Sequence, residues 1–221
     1  MEAKSLISDT VPSLRINDKG QKALNWMDVF KITHLPVVNG KEYIGLISDK
    51  MIYDLNLTDQ SFEGQMGKLP TPHVHDNQHI FEVASIMYKL KLSVVPVLSN
   101  EHDYLGVIVL YDLARKFSNL YSVHEPGGVI LIEIGSFDYS LTQIAQIVEG
   151  NDAKILSLFV TRDHNSKNLL LTLKLNIVEL SGVIQSFGRY NYNVLAVYMD
   201  NSVINDLYED RYDLFMKYMN I

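Results

Sequence analysis

Apolar residues in the first hundred positions follow two periods. At Ala23, Leu24, Met27 and Phe30, and again at Val83, Ile86, Met87 and Leu90, they recur every three or four residues. That spacing puts each set on one face of a helix. Nearly unbroken apolar runs follow, at 35–38 and 44–47 after the first helix and at 94–98 and 105–110 after the second. Short runs of this kind between polar turns predict strands covered on both faces. Pro36 and Pro96 stand inside two of them, which predicts an edge or a strand start. Each stretch therefore reads helix, strand, turn, strand, then another helix from about Ile52 or Asp112.

The two stretches are copies. At an offset of 60, Met27 matches Met87, Phe30 matches Leu90, Ile32 matches Leu92, Pro36 matches Pro96 and Val37 matches Val97. One extra residue in the second turn makes the offset 61, and Gly45 then matches Gly106. A unit this small cannot bury its core alone. Two copies closing on each other about a pseudo-twofold axis are expected to leave two equivalent clefts near the strand ends.

After "VHEPGG" (123–128), which reads as a linker, the pattern changes. "VILIEI" (129–134), "AKILSLFV" (153–160), "NLLLTLKL" (168–175) and "NVLAVYM" (193–199) read as strands, the middle two joined by the polar hairpin "TRDHNSK". Leu141, Ile144, Ala145, Ile147 and Val148 mark one helix, and Val178, Leu180, Val183, Ile184 and Phe187 another. The order βαββαβ predicts a four-stranded antiparallel sheet with both helices on one face. From Ser202 to Met219 a serine cap and an aromatic stripe predict an amphipathic C-terminal helix, docked on its own core or on a sister subunit.

The first half, with "HLPVV" and "GLIS" in one copy and "VVPVL" and "GVIVLYDL" in the other, resembles a tandem pair of CBS (cystathionine beta-synthase) domains, a Bateman module. The resemblance implies a regulatory, non-catalytic sensor of an adenine nucleotide (AMP, ADP or ATP) or S-adenosylmethionine. In that family a Ser or Thr ends the strand after the glycine, and an Asp follows three residues later. The hydroxyl and helix N-terminus hold phosphate, and the carboxylate accepts from the ribose hydroxyls. Here each copy keeps half: Ser48 is followed by Met51, while Asp112 is preceded by Val109. Positions that often face phosphate are Thr33 and His34 in the first copy, Ser93 and Val94 in the second. The nucleotide-binding candidates are thus Ser48, Asp112, Thr33, His34 and Ser93. The alternative is plainer: Ser48 caps its helix and Asp112 is a first-turn acid facing the helix dipole.

The second half, notably "LTQIAQIVEGNDAKILSLFV" and "VIQSFGRYNYNVLAVY", resembles an ACT domain, and the whole order resembles the acetoin-utilisation B-type proteins. The expected fold class is α/β (α+β). Its domains are a CBS pair at 5–62 and 63–120, a ferredoxin-like ACT-type domain at 127–200 and the terminal helix at 201–221. Amino-acid-binding ACT domains carry a glycine in the first strand–helix loop. Tyr139 stands there, and Gly135 comes too early, so this half reads as a dimerising domain with a filled site.

Composition narrows the classes. The 221 residues are 47% hydrophobic and 20% charged, enough apolar material for folded domains. A net charge of −7 without a basic run argues against nucleic acid or an anionic membrane as partner. There is no cysteine, hence no disulfide or thiolate chemistry. "MEAKSLISDT" lacks the features of a signal peptide, and a cytoplasmic homodimer is expected. The rival chemistry is "TPHVHDNQH", where His73, His75 and His79, with Asp76 beside them and His102 further on, suggest a zinc or nickel site. The same stretch also fits a lead-in strand and helix cap, which need no metal. No nucleophile elbow or phosphate-cradling glycine loop occurs.

Overall fold

The computed structural model describes residues 1–162 and 168–199. The expected C-terminal helix lies outside the described residues, as does most of the 161–167 hairpin. The chain divides into two compact units, Met1–Phe117 and a second beginning at Ser118.

In the first unit the helical spacing becomes helices and the apolar runs become strands. The first copy runs β1 (Leu14–Arg15), α1 (Gly20–Phe30), β2 (His34–Asn39), β3 (Glu42–Ser48) and α2 (Asp49–Asp54). The second runs β4 (Val74–His75), α3 (Ile80–Leu90), β5 (Val94–Leu98), β6 (Tyr104–Val109) and α4 (Leu110–Leu120). α2 and α4 begin slightly earlier than the pattern suggested, directly at the strand ends. Met27 and Val83 are buried as expected. Leu90 is the exception at 54% exposed, so the outer end of α3 faces away from the core.

Each copy forms a three-stranded sheet, β1-β2-β3 or β4-β5-β6, parallel in the first pair and antiparallel in the second. Both hairpins carry an irregularity at the same place, between Val37 and Val38 and between Val97 and Leu98. The prolines lie in middle strands, not at edges as expected. Pro36 is opposite Leu46, whose N–H points away from β2 to Pro70 C=O (2.8 Å). The Pro36 nitrogen therefore faces β1, and β1 pairs only with Val37 and Val38. No ladder bond is lost there.

The segment before each copy lies on the other copy. Ala3 and Lys4 N–H donate to Gln78 and Asp76 C=O, and Ser8 N–H donates to Val107 C=O of β6 (2.8 Å). Residues 61–70 return to the first copy: Phe62 N–H donates to Ile16 C=O, and Pro70 accepts from β3. These crossings account for Gly45 and, together with a glycine-favouring backbone at φ 152°, for Gly106. A Cβ on Gly45 would come within 2.5 Å of Leu69 Cβ, and one on Gly106 within 2.5 Å of Ile7 Cγ2. Equivalent residues also meet across the axis. Thr33 N–H donates to Ser93 Oγ, Glu42 bridges to Asp103, and the Tyr43 and Tyr104 rings stack at 6.4 Å. One continuous core, including Leu35, Val37, Ile47, Val94, Val97 and Ile108, serves both copies.

The second unit runs β7 (Val129–Gly135), α5 (Leu141–Glu149), β8 (Ile155–Arg162), β9 (Asn168–Leu175), α6 (Ser181–Arg189) and β10 (Asn193–Tyr198). Its sheet order is β10-β7-β9-β8, antiparallel throughout, which is the split βαββαβ arrangement. Alternate residues of β7 (Ile130, Ile132, Ile134) and β9 (Leu169, Leu171, Leu173) share a core with Ile144, Ile147 and Phe187 from the helices. The end of the expected linker is part of this sheet: Leu175 N–H donates to Gly128 C=O, and Gly128 N–H to Ile177 C=O. The molecule is of mixed α/β class.

Candidate functional site

Three of the five candidates meet where the strand starts converge. Because β2 and β5 begin at equivalent positions beside the axis, Thr33 and His34 face Ser93. His34 Nδ1 lies 3.0 Å from Thr33 Oγ1 and 3.1 Å from Ser93 Oγ. His34 is half-buried; burial holds its pKa below the ordinary histidine value, against the opposing pull of the Asp49 carboxylate. A neutral imidazole linked to two hydroxyls can accept or donate toward a ligand, but brings no fixed positive charge.

Three cavities flank this point: one of about 740 Å³ is lined by Thr33 and Ser93 among others, and the other two hold Ser48 or Asp112. Of the latter two, the first, about 430 Å³, is lined by His34, Leu46, Ser48, Met51, Pro70–Pro72, Leu90 and Leu92. Ser48 lies there as a helix cap, its Oγ accepting from Met51 N–H at 3.1 Å. Its oxygen accepts that bond and keeps its own O–H to donate, while Met51 brings an apolar side chain into the lining. The lining holds no acid.

The second cavity, about 510 Å³, is chemically richer. It is lined by Thr10, Val11, Phe30, Lys31, Ile32, Ser93, Val109–Asp112 and Ala114. Asp112 stands in the first turn of α4, partly exposed, with Arg115 NH2 at 3.5 Å from its carboxylate. Lys31 occupies the left-handed C-cap of α1 (φ 54°), and its ammonium reaches Asp28 at 2.8 Å. Sequence reading missed Lys31 and Thr10. Thr10 lies in a segment whose place follows from the crossing, and Lys31 carried no signal beyond the end of a helix. Asp112 and Ser48 are therefore not brought together: they serve opposite cavities, as the repeat predicts.

The histidine-rich stretch departs from its expectation. His79 caps α3, its Nδ1 accepting from Phe81 N–H and its backbone N–H donating to Glu82. His102 takes its place beside His73 and His75: one ring nitrogen from each lies within 4.8 Å of the others, with neither His79 nor Asp76 in the group. Proximity in sequence suggested His79, but the strand-to-turn pairing supplies His102.

In the second unit Tyr139 packs against the core. A polar cleft of about 610 Å³ is lined among others by Glu133, Gly135, Asp138, Gln143 and Tyr192, without Tyr139. The Tyr192 hydroxyl donates to Gln143 at 2.8 Å, and Asn193 donates to Glu133 at 3.0 Å. Burial, with the Asp138 charge nearby, raises the Tyr192 pKa.

Residues 66–119 match the family model described as CBS domain. Among solved structures, a CBS domain pair/ACT domain protein from Thermotoga maritima is 18% identical, with 54% of this chain and 98% of that one covered and a TM-score of 0.47. An acetoin utilization protein from Vibrio cholerae is 18% identical, covering 56% and 95% with a TM-score of 0.48. CBSX2, solved in complex with AMP, is 17% identical, covering 53% and 96% with a TM-score of 0.46. The family match thus falls on the second copy, and the first copy repeats its strands, bulge and glycine.

Proposed function

We propose that the protein is a non-catalytic regulatory sensor that takes an adenosyl ligand, such as AMP, ADP, ATP or S-adenosylmethionine, in the second cavity. The observation that carries this reading is the position of Asp112, a carboxylate in the first turn of a helix at the wall of a 510 Å³ cavity. That volume suits a nucleoside-sized ligand. Asp112 accepts from the two ribose hydroxyls, while the Ser93 and Thr10 hydroxyls and the Lys31 ammonium face the anionic side of the ligand, a phosphate or the amino-acid carboxylate of S-adenosylmethionine. Val11, Ile32 and Val109 supply apolar contact for the base. The first cavity, without an acid and with Ser48 capping its helix, is the degenerate member of the pair.

Calorimetry with these ligands tests the assignment. Asp112→Ala is expected to weaken a ribonucleotide by about 1–3 kcal/mol, the cost of losing hydrogen bonds to a charged group. A ribonucleotide bound equally well by wild type and Asp112→Ala would overturn it.

The ACT-like second unit serves this reading as a dimerising or transmitting part, with Tyr139 at the position where that family's glycine leaves room for a ligand, although its ring packs on the core and a polar cleft remains open around the loop. The assembly is a homodimer. Its support is an apolar groove of about 740 Å³ along α3 and α4, lined by Ala84, Met87, Tyr88, Leu110, Leu113 and Phe117 among others. No described helix is long and apolar enough to cross a membrane, and a cysteine-free acidic chain suits a reducing cytoplasm.

A further inference from the structure

We propose that His73, His75 and His102 form a three-imidazole site for a divalent transition ion of the zinc class. The site lies at the hairpin end of the first unit, and its residues are distinct from those lining the two cavities. His73 and His75 flank buried Val74, so the alternation of β4 sends both imidazoles to the face opposite the core. The tight turn between β5 and β6 brings His102 to them. Ring centroids are 5.4 Å apart for His73 and His75, and 5.6 Å for His75 and His102.

Hydrogen bonding orients two of the rings for ligation. His73 Nδ1 lies 2.9 Å from Thr71 C=O, and His75 Nδ1 lies 3.3 Å from Ser99 C=O. A carbonyl only accepts, so each Nδ1 carries the proton and each Nε2 presents its lone pair. Metal-ligating histidines commonly have this arrangement, with the far nitrogen bonded to a carbonyl that fixes ring and tautomer. Ser99 serves twice. Its C=O takes the His75 proton and also accepts from His102 N–H at 3.0 Å, while its N–H donates to Asp103 C=O at 2.9 Å. The residue that orients one ligand therefore builds the turn that presents another, with His102 at φ 65°. Tyr43 backs the cluster, its ring edge-on to His73 and its hydroxyl donating to Pro72 C=O.

Three neutral imidazoles suit zinc, copper, nickel or cobalt and not magnesium or calcium, which prefer oxygen. Nitrogens around a tetrahedral zinc lie roughly 3.3 Å apart, given bonds of about 2.0–2.1 Å. The present spread is up to 4.8 Å, so closure needs ring movement of ~1.5 Å. His102 is exposed and free to make it. Three protein ligands leave a fourth position open to water or a small anionic solute.

The test uses tag-free full-length protein, titrated with zinc chloride by calorimetry and with cobalt(II) by visible absorption. One ion per chain is expected, with cobalt giving the intense bands of a four- or five-coordinate site. His102→Asn, which tolerates the left-handed turn, and His75→Gln should each weaken binding at least tenfold. His79→Ala should bind as wild type, and the metal-free melting temperature of His102→Asn should be unchanged. No saturable zinc, unaltered affinity in His102→Asn, or an equal loss in His79→Ala would overturn the assignment.

Discussion

His34 shows how one side chain can report on the state of the strand starts. Its imidazole is held between Thr33 and Ser93, and burial lowers its pKa from the ordinary value of 6.5. Unfolding returns it to that ordinary value, so the unfolded chain binds the proton more readily. The stabilising contribution is present above pH 6.5 and is lost as pH falls through the lowered native value. Thermal midpoints of wild type measured from pH 7.5 to pH 5 should therefore fall more steeply than those of His34→Asn; equal slopes would remove His34 from the account. The role of Ser48 was legible at the same scale, because a serine at a strand end followed by a helix is a cap signal. His102 was legible only as a more distant candidate, since its place beside His73 and His75 depends on how β4 aligns with β5 and on the conformation of the turn after it.

At the scale of elements, the strands and helices were readable because their periodicity is local. Lead-in segments 1–8 and 61–70 were not, since their partners lie on the opposite copy and no repeating pattern marks them. Gly45 and Gly106 were the available trace: a matched glycine inside an apolar strand signals close approach by another backbone. Adding a methyl group at either place drives it into Leu69 or Ile7. Gly45→Ala and Gly106→Ala should each cost about 1–3 kcal/mol, read as a lower urea midpoint at constant slope. Gly64→Ala, where a Cβ meets nothing within 4 Å, should leave the midpoint nearly unchanged. Midpoints for all three variants matching wild type would remove the crossing as the reason for the matched glycines. The proline rule misled for a related reason. Pro36 avoids an edge only because β1 is two residues long, and strand length at the far side of a sheet is invisible in the strand itself.

For the whole molecule, the proposed dimer rests on the apolar groove along α3 and α4. Tyr88 is 85% exposed and lines the groove together with Phe117 and Leu113. An isologous twofold contact covers such a face on both partners at once. Light scattering on a column should give twice the 25.2 kDa of one chain, and Tyr88→Asp should return it to a single-chain mass. A wild-type protein of single-chain mass at micromolar concentration would refute the dimer. The crossed segments carry a consequence for biosynthesis as well. Residues 1–8 leave the ribosome long before Asp76, Gln78 and Val107, the groups that will receive them. The segment that crosses back to the first copy has emerged by Pro70, but the shared core stays open until the second copy follows, and segment 1–8 must wait for β6. A nascent chain halted short of Val107 therefore carries segment 1–8 unmated, an interval in which exposed apolar surface favours aggregation.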